Sequence, residues 1–172
     1  MSKIVVEKFQ YLNEYAKFRY ENELRREDSI IRQASQMQTT FSFVTAAIFM
    51  VAPIVIEYSR KLSLTFFLIA FSSITIALLF SLLFATLAQN RKISKNFMDV
   101  SNFIKYVEDN ENDFETEKQR LKYIIDTYGD VQKDKAIIND KRVKLIRISM
   151  WMFYVALGLC AFWFIIAICK TV

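Results

Sequence analysis

Residues 33–91 read QASQMQTTFSFVTAAIFMVAPIVIEYSRKLSLTFFLIAFSSITIALLFSLLFATLAQNR, and this stretch decides the fold. It contains two uncharged runs, Gln33–Ile56 and Leu62–Asn90. Between them lies the charged pentapeptide Glu57–Lys61, which leaves room only for a tight turn. Because roughly 20 helical residues cross a bilayer core about 30 Å thick, each run is long enough to span it. The stretch therefore predicts a transmembrane helical hairpin over residues 39–90.

The rest of the chain adds a third span and two polar helical segments. The uncharged run Ile148–Cys169, 22 residues long, predicts a third transmembrane helix over residues 148–169. Residues 1–38 have no glycine or proline and repeat apolar residues every three or four positions, which predicts a cytoplasmic amphipathic helix. Residues 91–147 combine apolar stripes with many charges and predict a cytoplasmic helical region. The expected fold is an all-α membrane protein: a transmembrane hairpin, a third C-terminal transmembrane helix, and long helices that extend into a cytoplasmic helical bundle.

Composition and charge agree with this class. The chain is 53% hydrophobic and 24% charged, and its two glycines and one proline are too few turn residues for a β protein. All but three of the 23 lysines and arginines precede Gln33 or lie between Arg91 and Arg147. By the positive-inside rule, this distribution places the N-terminus and the central region in the cytoplasm and the C-terminus outside.

The sequence also predicts where helices end. The second span has no visible break after Arg91, so its helix is expected to continue to the polar run Glu108–Asp113. Gly129 predicts a helix C-terminus, with Asp130 as the N-cap of the last helix. No break separates residues 1–38 from the first span, so one long helix is expected there.

The second span carries a stripe of small and hydroxyl residues at four-residue spacing. Its members and their polar neighbours are Ser73, Ala77, Ser81, Ala85, Thr86 and Gln89. Small residues at this spacing let helix backbones approach closely, so packing within the hairpin or between subunits is the favoured interpretation. The alternative is that some of the hydroxyls line a water path. The predicted spans contain no charge, which argues against a proton relay, a voltage sensor or a coupled-ion site.

Several cations near the predicted inner surface are candidates for binding phosphates, whether of lipids or of an anionic ligand. They are Arg25, Arg26, Arg32, Lys141 and Arg142, and the ring of Tyr20 nearby could stack on a base. The competing interpretation is that these cations form solvated ion pairs or only anchor the chain on the cytoplasmic side.

The sequence lacks the residues of an enzyme active site. It has no histidine, no Cys-x-x-Cys pair and no glycine-rich phosphate loop. Cys160 and Cys169 both lie in the third span, about 13.5 Å apart along a helix and on opposite faces, so they cannot bridge each other. The carboxylates are scattered among cations and show no pair with divided acid and base roles. We therefore expect no enzymatic activity, no catalytic residue, no metal and no cofactor.

Three segments resemble the SLATT family, the two-transmembrane effectors of bacterial nucleotide-signalling and anti-phage defence systems. They are FRYENELRREDSIIRQAS (residues 18–35), TTFSFVTAAIFMVAPIVI (residues 39–56) and FSSITIALLFSLLFATLAQNRK (residues 71–92). Together they give a charged helix ahead of a tight hairpin. The likeness covers roughly residues 10–128, and the third span departs from the two-span plan.

The resemblance implies a homo-oligomer, a tetramer or larger, that forms a gated ion channel or pore. Such an effector disrupts the bacterial inner membrane during abortive infection. Its ligand on the cytoplasmic side would be a nucleotide or, as in the Hailong-like branch, a short oligodeoxyadenylate from a neighbouring nucleotidyltransferase. No duplex-specific DNA binding is expected. Two other functions stay open: a membrane-anchored scaffold that recruits a cytoplasmic protein partner, and an unregulated holin-like toxin.

Overall fold

The computed structural model describes residues 3–58, 63–90 and 97–171. Within these ranges the chain is entirely α-helical apart from short connections, and its helices are α1 (Lys3–Tyr58), α2 (Leu64–Gln89), α3 (Val100–Asp109), a short 3₁₀ helix (Glu111–Phe114) and α4 (Glu117–Thr171). Helices α1, α2 and α4 are each long and apolar enough to cross a membrane. The predicted all-α fold, a helical hairpin and a third span with long helical extensions, is confirmed. Residues 59–61 of the predicted turn lie outside the described residues.

The first and last helices run without interruption through both polar and apolar sequence. Helix α1 joins the amphipathic segment to the first span, as expected, and continues through Pro53 to Tyr58. Helix α4 passes through Gly129, where a helix end was predicted, and Asp130 lies inside the helix rather than at an N-cap. That prediction was wrong because a helical glycine costs only about 1 kcal/mol, which packing of nearby residues such as buried Val131 outweighs.

Helix α2 is shorter than predicted. Its N-cap is Ser63, whose hydroxyl accepts a hydrogen bond from the amide of Phe66 at 3.3 Å. It ends at Gln89, and residues 97–99 are not helical. The prediction that this helix continues beyond Arg91 is therefore wrong.

The predicted break in the polar run is confirmed, because α3 ends at Asp109 and the 3₁₀ helix follows at Glu111. A cluster of aromatic rings packs where the 3₁₀ helix connects α3 to α4. Phe114 is buried, and its ring centroid lies 5.2 Å from that of Tyr123 on α4. The rings of Phe103 and Tyr106 on α3 stack on the same tyrosine at 5.8 Å and 5.6 Å.

The chain divides into two compact units. The polar unit comprises Met1–Ser29 and Arg91–Asp140, and the apolar unit comprises Ile30–Asn90 and Lys141–Val172. The apolar unit is a three-helix arrangement of α1, α2 and α4 segments. Its interior includes Leu78, 1% exposed, and a stacked ring pair, Phe41 of α1 and Phe153 of α4, with centroids 4.0 Å apart.

Replacing Gly129 with alanine is expected to stabilise the protein, because an added Cβ would meet no atom within 4 Å and alanine favours the helix. The free energy of unfolding should rise by about 0.5–1 kcal/mol. Chemical denaturation in detergent, followed by circular dichroism, measures it. Gly129→Pro is the control and should destabilise by about 3 kcal/mol, because proline removes a helix hydrogen bond. Unchanged or lower stability of Gly129→Ala would indicate that the helix ends here.

Candidate functional site

In the polar unit, α1 and α4 are joined by a ladder of polar contacts. Asn139 is 1% exposed, and its amide nitrogen lies 3.1 Å from both the backbone carbonyl and the carboxylate of Glu23. Lys135 pairs with Glu27 at 3.0 Å, with both side chains largely buried. Within the described residues, no group of three or more histidine, cysteine or acidic side chains could hold a metal ion.

Two of the predicted ligand-binding residues in the polar unit already have protein partners. Arg26 contacts Asp140 at 2.6 Å and Glu23 at 3.5 Å. The hydrogen bond to Asp140 raises the pKa of Arg26. Tyr20 packs against the rings of Phe97 and Tyr128, with centroid distances of 5.2 Å and 5.6 Å.

The remaining predicted cations differ in exposure. Arg25 in the polar unit and Arg32 and Lys141 in the apolar unit are exposed. Arg142 is only 3% exposed, and its Nη2 donates a hydrogen bond to the carbonyl of Asn90 at 3.2 Å. Asn90 is the C-cap of α2, so Arg142 satisfies a carbonyl at that helix end and places a cation where the helix dipole favours one.

The stripe on α2 lies at the centre of the apolar unit. Ser81 of α2 and Ser149 of α4 are fully buried, and each hydroxyl donates to the backbone carbonyl of the other residue, at 2.9 Å and 2.7 Å. Ala77 and Ala85 are also buried. Small side chains let two backbones come this close, as helix packing in membranes requires.

Two further polar residues of α2 are also bonded within the protomer. The indole nitrogen of Trp163 donates to the hydroxyl of Ser73 at 3.0 Å, and that hydroxyl donates to the carbonyl of Ala70. Gln89 donates to the side chain of Gln38 on α1. The structure thus places Ser73, Ser81 and Gln89 in interhelical contacts, which corresponds to the packing interpretation of this stripe. Thr86 differs, because it is exposed.

A second polar stripe, on α1, was missed by the sequence analysis. It follows steps of three and four residues, every member is exposed, and its members are Arg32, Ser35, Thr39, Ser42 and Ala46. This spacing places all five on one helix face. The helical spacing of these residues is visible in the sequence, but residues 33–40 have low hydropathy and the apolar part of the span begins only at Phe41.

The stripe lies at the polar end of the first predicted span, and this position makes it a candidate functional surface. The apolar part of the first span, residues 41–56, would cover only about 24 Å of a core about 30 Å thick. Residues beside this part, such as Thr39 at one end and Tyr58 at the other, would complete the crossing. A helix face with exposed hydroxyls at this depth is better matched to water or to another protein surface than to lipid tails.

Comparison with known proteins assigns no family. No protein-family model matches the chain, and neither a curated protein nor a solved structure does. The resemblance to SLATT effectors therefore stays a prediction.

Ser81→Leu is expected to destabilise the protein by about 1–3 kcal/mol, because leucine overpacks a fully buried site and removes the bonded hydroxyl. The matched control on the same helix is Thr86→Leu, which changes an exposed side chain and should shift stability by less than about 0.5 kcal/mol. Unfolding of both variants in one detergent gives the comparison. Equal stabilities would contradict the interior position of Ser81.

Proposed function

We propose that the protein is a homo-oligomeric membrane channel in which the polar face of α1 lines the water path. The observation that carries this proposal is the contrast between the two polar stripes of the apolar unit. The hydroxyls of Ser73 and Ser81 on α2 bond to α4, whereas Ser35 and Ser42 on α1 are exposed, and the exposed hydroxyl of Thr39 bonds only to the Ser35 carbonyl of its own helix. A face with several exposed hydroxyls on the outside of a membrane-spanning protomer is better matched by water or a second protomer than by lipid tails.

The packing of a single protomer supports a path between protomers rather than within one. Three helices meet at residues such as Leu78 and Ala156, which are buried and apolar. A symmetric ring of protomers would bring copies of α1 around one axis and surround a shared path with their polar faces. The expected assembly is a tetramer or larger, in the bacterial inner membrane.

Control of this channel by an anionic signal is supported by the exposed cations. Arg25 in the polar unit is exposed. In the apolar unit Arg32 and Lys141 are exposed, and a ring multiplies each of them by the number of subunits. A nucleotide or a short oligodeoxyadenylate is a compact set of phosphates that such a ring would attract. Arg32 belongs both to this set and to the α1 stripe, so a bound phosphate would change the electric field at the mouth of the path. In this proposal the channel acts in anti-phage defence.

A second candidate function, a scaffold for a cytoplasmic protein partner, is favoured by a different surface. Tyr11, Tyr15 and Phe18 are 67%, 53% and 56% exposed, and their spacing puts them on one face of α1 in the polar unit. Tyrosine and phenylalanine are enriched where proteins bind each other. The same face would serve equally for contacts between subunits of a channel.

Cysteine accessibility tests the assignment of the path to α1. In a background without Cys160 and Cys169, Thr39→Cys should make the current through liposome-reconstituted protein sensitive to a water-soluble cationic thiol reagent. We expect loss of most of the current, because the reagent would add bulk and charge beside the water path. The matched control is Thr86→Cys, an exposed position on α2, which should leave the current unchanged.

Three outcomes would favour other assignments. Block at position 86 without block at position 39 would assign the path to α2. Bilayers that stay electrically silent with and without oligonucleotides would remove the channel and favour the scaffold. Toxicity on expression without any partner gene would favour the unregulated, holin-like alternative.

The ligand hypothesis predicts that Arg32→Gln weakens binding of a labelled oligodeoxyadenylate, because each subunit of the ring loses a cation. For a single-stranded ligand, each lost phosphate contact should reduce the slope of log K against log salt by about 0.7. Fluorescence anisotropy at several salt concentrations measures both quantities. The charge-matched control is Lys118→Gln, because this ammonium already lies over the ring of Phe9. An equal loss in the control would indicate unspecific attraction to a basic protein.

A further inference from the structure

An open apolar groove lies among α1, α2 and α4 in the apolar unit. Its volume is about 480 Å³, within the range of about 300–1,000 Å³ of small-molecule sites. Ala70 and Ile74 are buried at its base, and Phe43, Val51 and Phe164 are exposed along it. Among the residues that the structure describes, none of those lining the groove is charged. Such a surface suits hydrocarbon and offers nothing to a polar ligand along its length.

The groove is about as long as one leaflet is thick. On α2 it extends from Phe66 to Ile74, about 12 Å of helix, and half of a bilayer core is about 15 Å. Small residues create the space, and those that line it are Ala47, Ala52, Ala70 and Ala167. Its length and polarity therefore match a single acyl chain that enters from one membrane surface.

A cation lies at one end of the groove. The ammonium nitrogen of Lys170, in the last turn of α4, is 5.2 Å from the ring centroid of Phe66. Phe66 lines the groove, and Lys170 is exposed. Because a lysine at a helix end can place its charge at the membrane surface, its ammonium would meet a lipid phosphate there.

We infer that the groove binds an anionic phospholipid, with one acyl chain along α2 and the headgroup phosphate at Lys170. The apolar walls exclude water from the chain, and the cation of Lys170 favours lipids with net negative charge. The inference requires that the three helices cross a bilayer, but it does not depend on ion conduction.

Charge favours an anionic lipid over a helix of a second copy. The acyl chain of such a lipid suits the apolar lining and its phosphate suits the cation of Lys170, whereas an apolar helix would match only the lining.

Tryptophan quenching by brominated lipids tests the inference on the full-length protein. Trp163 lines the groove, and the other tryptophan, Trp151, is exposed elsewhere on α4. In the Trp151→Phe variant, vesicles with a small fraction of acyl-brominated phosphatidylglycerol in phosphatidylcholine should quench Trp163. For the same quenching, brominated phosphatidylcholine should need a mole fraction about fivefold higher. The reason is that one lysine contact with an anionic lipid is worth about 1 kcal/mol. Lipids in both leaflets make the result independent of protein orientation.

Two further variants separate the parts of the site. Lys170→Gln should abolish the preference for phosphatidylglycerol. Ala47→Phe should fill the groove and reduce quenching by both lipids, whereas Ala161→Phe, at an exposed position that does not line the groove, should leave quenching unchanged. Equal quenching by the two lipids in Trp151→Phe would overturn the proposal. Quenching unaffected by Ala47→Phe, or the absence of quenching by either lipid, would overturn it as well. None of these three results bears on the channel, which current measurements test separately.

Discussion

The requirement that a polar group inside a bilayer must find a hydrogen-bond partner governs the apolar unit. Ser81 and Ser149 meet it reciprocally, since each hydroxyl donates to the carbonyl of the other residue. Both carbonyls belong to helices, so the hydroxyls use acceptor capacity that the helix leaves over. Such bonds average only about 0.6 kcal/mol each, but a rotation of either helix would break both bonds at once. The pair therefore fixes how α2 faces α4 more than it adds stability.

Once α2 is fixed in this way, Ser81 is no longer available for a water path, whereas Thr86 on the same helix is exposed. On α1 several polar residues share one exposed face, and they include Ser35, Thr39 and Ser42. The candidate lining of a channel is therefore the helix with the lower hydropathy and not the helix with the more regular small-residue pattern. Small residues at four-residue spacing indicate close packing, whereas a face with several exposed hydroxyls is better matched by water or protein than by lipid tails.

The positions of the spans could be predicted from the sequence because length and the absence of charge are properties of a single helix. Features that depend on two helices could not. Gly129 by itself predicts a helix end, but nearby residues such as Val131 are buried by packing and α4 continues through the glycine. The hydrogen bond from the Trp163 indole to Ser73 likewise depends on both α4 and α2. Arg142 reads as one more inner-surface cation, although burial and the end of α2 determine its environment.

Existing contacts divide the basic residues into two groups with different consequences for a ligand. A buried charge is tolerated only with good partners, since desolvation costs several kcal/mol. Arg142 has the carbonyl of Asn90, and exposed Arg26 is held by Asp140, so a phosphate that recruits either must compete with existing contacts. Arg25, Arg32 and Lys141 are exposed. Arg32 also begins the polar face of α1. If that face lines the path, a ligand that neutralises Arg32 alters the potential that each ion meets on entry, so binding and permeation are coupled without any movement of a helix.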